Sequence, residues 1–81
     1  MYTTGVCPFC RMAERLLESK GVTAIDRVRV DLLPDKRVEM MEKTGRRTVP
    51  QIYIGATHVG GFDELAALED AGRLDDLLRG A

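Results

Sequence analysis

Residues 1–17 read Met-Tyr-Thr-Thr-Gly-Val-Cys-Pro-Phe-Cys-Arg-Met-Ala-Glu-Arg-Leu-Leu, and this stretch decides the fold. Met1 to Thr4 suits the end of a strand, short enough to leave room for residues ahead of Met1. Gly5-Val6 then turns the chain into a helix. Phe9, Met12, Ala13, Leu16 and Leu17 recur at spacings of 3, 4, 7 and 8, one apolar helical face. Pro8 fits the first helical position, where a missing N–H costs nothing, and Gly21 fits the stop. Ile25 to Val30 is rich in β-branched residues and predicts a second strand. Strand, helix and strand in that order imply a parallel pair with a right-handed crossover.

Downstream, Pro34-Asp35 opens a second helix that directs Val38 and Met41 inward and ends at Gly45. Pro50 to Ile54 predicts a strand, Gly55-Ala56 a tight turn, and Thr57 to Val59 an antiparallel return. Gly60-Gly61 leads into a third helix with Leu65 and Leu68 inward. After Gly72, Leu74, Leu77 and Leu78 mark a short last helix. The order βαβαββα plus a terminal helix predicts an α/β fold, a mixed four-stranded sheet flanked by helices.

A length of 81 residues predicts a single domain, 1–81, with one modest core. The longest apolar run, Ile52 to Ala56, falls far short of the roughly 20 residues that span a bilayer. No basic start followed by an apolar stretch marks a secretory signal, so no membrane and a cytoplasmic location are expected. Twelve Lys+Arg against 13 Asp+Glu argue against a sequence-independent nucleic-acid binder. That balance is uneven: residues 1–47 carry ten basic and seven acidic side chains, residues 48–81 two basic and six acidic. Either the surface is merely unevenly charged, or a small zwitterionic ligand lies where the halves meet.

The two cysteines make a poor staple. A Cys7–Cys10 bridge closes a four-residue loop, worth roughly 2 kcal/mol at best in the chain-entropy model. A lone Cys-x-x-Cys reads instead as a redox or metal site. Zinc wants four ligands, and His58 is the sole further good donor, so no metal is expected. With Pro8 first in the helix, Cys7 is the N-cap, its sulfur among unpaired backbone N–H groups. The helix dipole then favours a thiolate, so a lowered Cys7 pKa is expected. Cys10, one turn further in and more buried, becomes the resolving thiol to Cys7's attacking one.

Cys7-Pro8-Phe9-Cys10, Thr48-Val49-Pro50 and Gly60-Gly61-Phe62-Asp63 stand together in an order and spacing that resemble the glutaredoxins, within them the small bacterial dithiol type. The resemblance covers nearly the whole chain, with Gly45-Arg46-Arg47 and Gly72-Arg73-Leu74 adding to it. It implies a thioredoxin fold, glutathione as co-substrate, and reduction of glutathione mixed disulfides and protein disulfides. Cys7 and Cys10 are then catalytic. Thr48-Val49-Pro50 matches the loop whose cis proline turns the Val49 N–H and C=O toward glutathione, pairing like an added strand.

By the same resemblance, backbone N–H groups of Phe62 and Asp63, after Gly61, accept the γ-glutamyl carboxylate, and the Asp63 side chain meets the ammonium. Arg37 matches the polar residue that meets the glycine carboxylate, and Phe9 lies as an aromatic lid beside the sulfur. Three positions depart from the pattern: Thr4 replaces a common cation, Phe9 a common Tyr, and Phe62 a third cysteine. Phe62 is expected to pack as a hydrophobic staple, and His58 as a surface or packing residue. Partners implied are glutathione, glutathionylated proteins and protein disulfides, ribonucleotide reductase among them by family analogy, and the protein itself is expected to be a monomer. Two rivals are a thioredoxin-like reductase recycled by a flavoprotein and an iron–sulfur-bridged dimer, the latter disfavoured by Pro8.

Overall fold

The computed structural model describes residues 1–80. Its elements are β1 (Tyr2–Thr3), α1 (Pro8–Ser19), β2 (Val28–Arg29), α2 (Pro34–Thr44), β3 (Ile52–Ile54), β4 (Thr57–Gly60), α3 (Phe62–Asp70) and α4 (Leu74–Leu78). β1 and β2 pair in parallel, Tyr2 opposite Val28 and Thr3 opposite Arg29. β3 and β4 form the antiparallel hairpin, irregular between Ile52 and Tyr53. Among the described residues the two ladders meet at one antiparallel bridge, Tyr2 to Gln51. There the Tyr2 N–H donates to the Gln51 carbonyl at 2.9 Å and the Gln51 N–H to the Tyr2 carbonyl at 3.2 Å. The result is the expected mixed sheet, in the order β2-β1-β3-β4. Among the described residues no helix is long and apolar enough to cross a membrane.

The core has two parts. Ala13 and Leu17 of α1, Ile52 of β3, Leu65 of α3 and Leu74 of α4 form one cluster. Tyr2, Val30 and Met40 form the other, with Val28, Met41, Val49 and Tyr53 packed against it. Gly45 caps α2 at φ 69°, a left-handed turn that a Cβ disfavours, and its N–H closes on the Met41 carbonyl.

Several inward assignments shift by part of a turn. On α1 the buried set is Cys10, Ala13 and Leu17, while Phe9 and Met12 are largely exposed. The face is the i, i+3, i+7 stripe through the cysteine, which an apolar count passes over. On α2, Val38 is exposed, Met40 is the buried residue and Met41 is half-buried. The Arg37, Met40, Met41, Thr44 stripe faces inward, with Val38 off to its side. β2 shrinks from Ile25–Val30 to Val28–Arg29, because its partner β1 offers only two residues to pair with. Val30, just past β2, stays buried, and its N–H donates to the Thr3 carbonyl at 3.0 Å.

Leu65 is fully buried in the larger cluster. Leu65→Ala should cost about 3 kcal/mol, the transfer of the lost methylenes plus an uncollapsed cavity. Urea unfolding should show a lower midpoint at unchanged slope. A midpoint within error of the parent would mean that α3 is not held by this side chain.

Candidate active site

Cys7 caps α1 with extended backbone, φ −149° and ψ 103°, and Pro8 begins the helix. The Cys10 N–H donates to the Cys7 Sγ at 3.2 Å, and the Arg11 N–H to the Cys7 carbonyl at 3.2 Å. The sulfur thus sits at the mouth of the helix, facing a backbone N–H of its first turn. Cys7 is half-buried and Cys10 only 3% exposed, both as free thiols. Burial, then the neighbouring Cys7, pushes the Cys10 thiol above its ordinary pKa, so it holds its proton.

The approach to Cys7 is tethered. The Gly5 N–H donates to Asp31 Oδ2 at 3.1 Å. Arg29 forks the same carboxylate, Nε to Oδ1 at 2.8 Å and Nη2 to Oδ2 at 2.7 Å. That guanidinium holds the Asp31 carboxyl well below the usual carboxylate range. The turn before the cysteine is thereby fastened to the end of β2.

Opposite the sulfur lies the Val49–Pro50 peptide, which is cis. The Cys7 thiol points at the Val49 carbonyl, 3.8 Å away. From there a groove of about 370 Å³ opens, with Thr48, Val49 and Pro50 on one strand-leading loop. Gly61, Phe62 and Asp63 line it from the start of α3, and Phe9 lines it from α1. The Phe9 and Phe62 rings lie 6.4 Å apart. Gly61 is the α3 N-cap without a side chain to cap with, leaving first-turn N–H groups that no helix satisfies internally. The arrangement sets a reactive sulfur beside exposed main-chain pairing groups and an anion-binding helix end.

The glutaredoxin family model matches residues 1–59. The glutaredoxin of Neisseria meningitidis serogroup A is 54% identical over 78 residues, 96% of this chain and 92% of the relative. Glutaredoxin 3 of Escherichia coli K12 is 48% identical over 79 residues, 98% of this chain and 94% of that one. In structure, the chain is similar to the buckwheat glutaredoxin–glutathione complex, at a TM-score of 0.88 and 26% identity. That match covers 98% of this chain and 74% of the other. The chain belongs to the glutaredoxin family. As a glutaredoxin it has the thioredoxin fold and is a glutathione-dependent thiol–disulfide oxidoreductase, with Cys7 and Cys10 as its redox-active pair.

The groove of this glutaredoxin also holds two residues that its sequence did not assign to the site, Arg46 and Glu64. They form an ion pair between the start of the loop after α2 and the first turn of α3. The Arg46 guanidinium lowers the Glu64 carboxyl below the usual range. The only sequence signals are the basic pair Arg46-Arg47 and an acidic first turn. Arg37 is half-buried in the first turn of α2 and stands outside the groove's lining. Phe62 both packs against the larger core cluster and lines the groove. His58 is half-buried, its ring 5.0 Å from that of Tyr53 and its Nε2 2.9 Å from the Gln51 side-chain oxygen.

Proposed function

We propose that the protein reduces glutathione mixed disulfides through Cys7 alone and protein disulfides through Cys7 and Cys10 together. What supports this is a half-exposed sulfur at the mouth of α1, 3.8 Å from a carbonyl that borders the groove, with its partner thiol buried. The Cys7 thiolate attacks the glutathione sulfur of a mixed disulfide. That S–S bond breaks, and the protein leaves as a thiolate that takes up a proton. A second glutathione thiolate then attacks the glutathione sulfur on Cys7, leaving as glutathione disulfide and restoring the Cys7 thiolate. With a protein disulfide, Cys7 becomes joined to the target instead. Cys10 then gives up its proton and attacks the Cys7 sulfur, releasing the reduced target and leaving a Cys7–Cys10 disulfide that two glutathiones reduce.

Glutathione at neutral pH carries two carboxylates and one ammonium. The Phe62 and Asp63 N–H groups take the γ-glutamyl carboxylate, the Asp63 side chain the ammonium, and the Val49 backbone the central cysteine. Phe9 covers the sulfur, Thr48, Pro50 and Gly61 shape the groove, and Arg37, beyond the groove's lining, is the cation for the glycine carboxylate. Residues 1–81 act as one domain and as a monomer in the cytoplasm, on glutathionylated proteins and protein disulfides, ribonucleotide reductase among the candidate targets. A small glutathione mixed disulfide assayed with glutathione and its reductase tests the reading. Asp63→Ala should raise the KM for that substrate about fivefold, the worth of one partly exposed charged contact. Reaction of Cys7 with dithiodipyridine, which carries no glutathione, should stay unchanged. An unaltered KM would remove Asp63 from the groove's chemistry.

A further inference from the structure

We propose that Gln51 and His58 are positioning residues that fix the Thr48-Val49-Pro50 loop for glutathione, an inference that rests on the groove reading above. The Gln51 side chain is fully buried. Its Nε2 donates to the Thr48 carbonyl at 2.9 Å and lies 3.3 Å from the Thr48 Oγ1. Its Oε1 lies 2.9 Å from His58 Nε2. A reversed amide would set its oxygen against the Thr48 carbonyl, two acceptors face to face. The amide orientation is therefore fixed, and the Oε1 must accept, which places a proton on His58 Nε2.

An apolar side chain would fill the same space without desolvating an amide. What the amide adds is direction. The Gln51 main chain is paired with Tyr2 of β1, while its side chain reaches back three residues to Thr48. Val49 and Pro50 are spanned between these two attachments. The Val49 carbonyl facing the Cys7 sulfur belongs to this spanned segment. His58 completes the bracket from β4, and its ring rests against Tyr53. Neither side chain lines the groove, so both act through Thr48 and Val49.

The test compares Gln51→Met, close in length without a donor, with His58→Phe, a ring without the proton, and His58→Gln, an amide donor near the Nε2 position. In folded variants, Gln51→Met and His58→Phe should raise the KM for the glutathione mixed disulfide about fivefold, with kcat within about twofold. The dithiodipyridine rate should hold, and His58→Gln should restore KM to within about twofold of the parent. Nitrogen-15 spectra of the parent should show the Nε2–H tautomer. A fall in thermal stability with no change in KM would make the pair mere filler and overturn the proposal. So would a parallel loss with both substrates, or failure of His58→Gln to rescue. If Asp63→Ala raises KM and these variants do not, the positioning role fails alone; if none does, the groove reading fails with it. Should Gln51→Met not fold, the two His58 variants, at a half-buried site, decide the question.

Discussion

Cys7→Ser should bring both activities to background, a loss of at least about three orders of magnitude in the coupled glutathione assay. The reason is chemical before it is structural. A hydroxyl at the helix mouth is a far weaker nucleophile than a thiolate and cannot form the mixed disulfide through which either route passes. Cys10 cannot substitute, being 3% exposed and holding its proton more tightly than an ordinary thiol. The groove should survive, since its lining comes from Thr48 to Pro50, Gly61 to Glu64, Phe9 and Arg46. Glutathione should therefore still bind the inactive variant. Retention of more than about a tenth of the activity would mean that another group attacks, against the whole assignment.

Cys10→Ser should divide the two routes. Reduction of a protein disulfide should fall to background, because no thiol remains to attack the Cys7–target bond. Reduction of the small glutathione mixed disulfide should stay within about threefold of the parent. The structure gives a specific reason for that survival. The contact that Cys10 makes to the Cys7 sulfur, 3.2 Å long, is donated by its backbone N–H, which serine retains. Side-chain replacement thus removes the resolving sulfur and leaves the donor to the attacking one in place. Equal losses on both substrates would end this division of labour. In Cys7→Ser, alkylation of the remaining Cys10 should need a pH above the ordinary thiol range near about 8.5, since burial favours its neutral form.

The order of elements was legible because glycines and prolines punctuate it: Pro8, Pro34 and Gly45 each stand at the helix boundary assigned to them. The cysteine pair was legible for the same local reason, since N-cap and first turn lie within four residues. Helix faces were read less well. Phe9 and Met12 count as apolar, yet Phe9 lines the groove, and the buried stripe runs through a cysteine. Met40 and Met41 are adjacent, and only packing against Tyr2 and Val30 decides that Met40 is the buried one. The Arg46–Glu64 pair spans 18 residues and leaves no periodic trace. Gln51 looks like any strand residue until the hairpin brings His58 opposite its amide, seven residues away.

The single bridge between the ladders has a consequence for how this molecule tolerates change. The cysteines follow β1, whereas most of the groove is carried by the loop leading into β3 and by the start of α3. What joins these halves at Tyr2 and Gln51 is peptide against peptide, indifferent to the residues at those positions. The side chains there are thus released for other work, Tyr2 in a core cluster and Gln51 on Thr48. Sulfur reactivity and ligand preference can accordingly be altered one at a time by substitution. A slip along the seam offers no such separation. Moving the pairing by one residue would turn Gln51 to the opposite face and draw the Val49 carbonyl off the Cys7 sulfur in the same step.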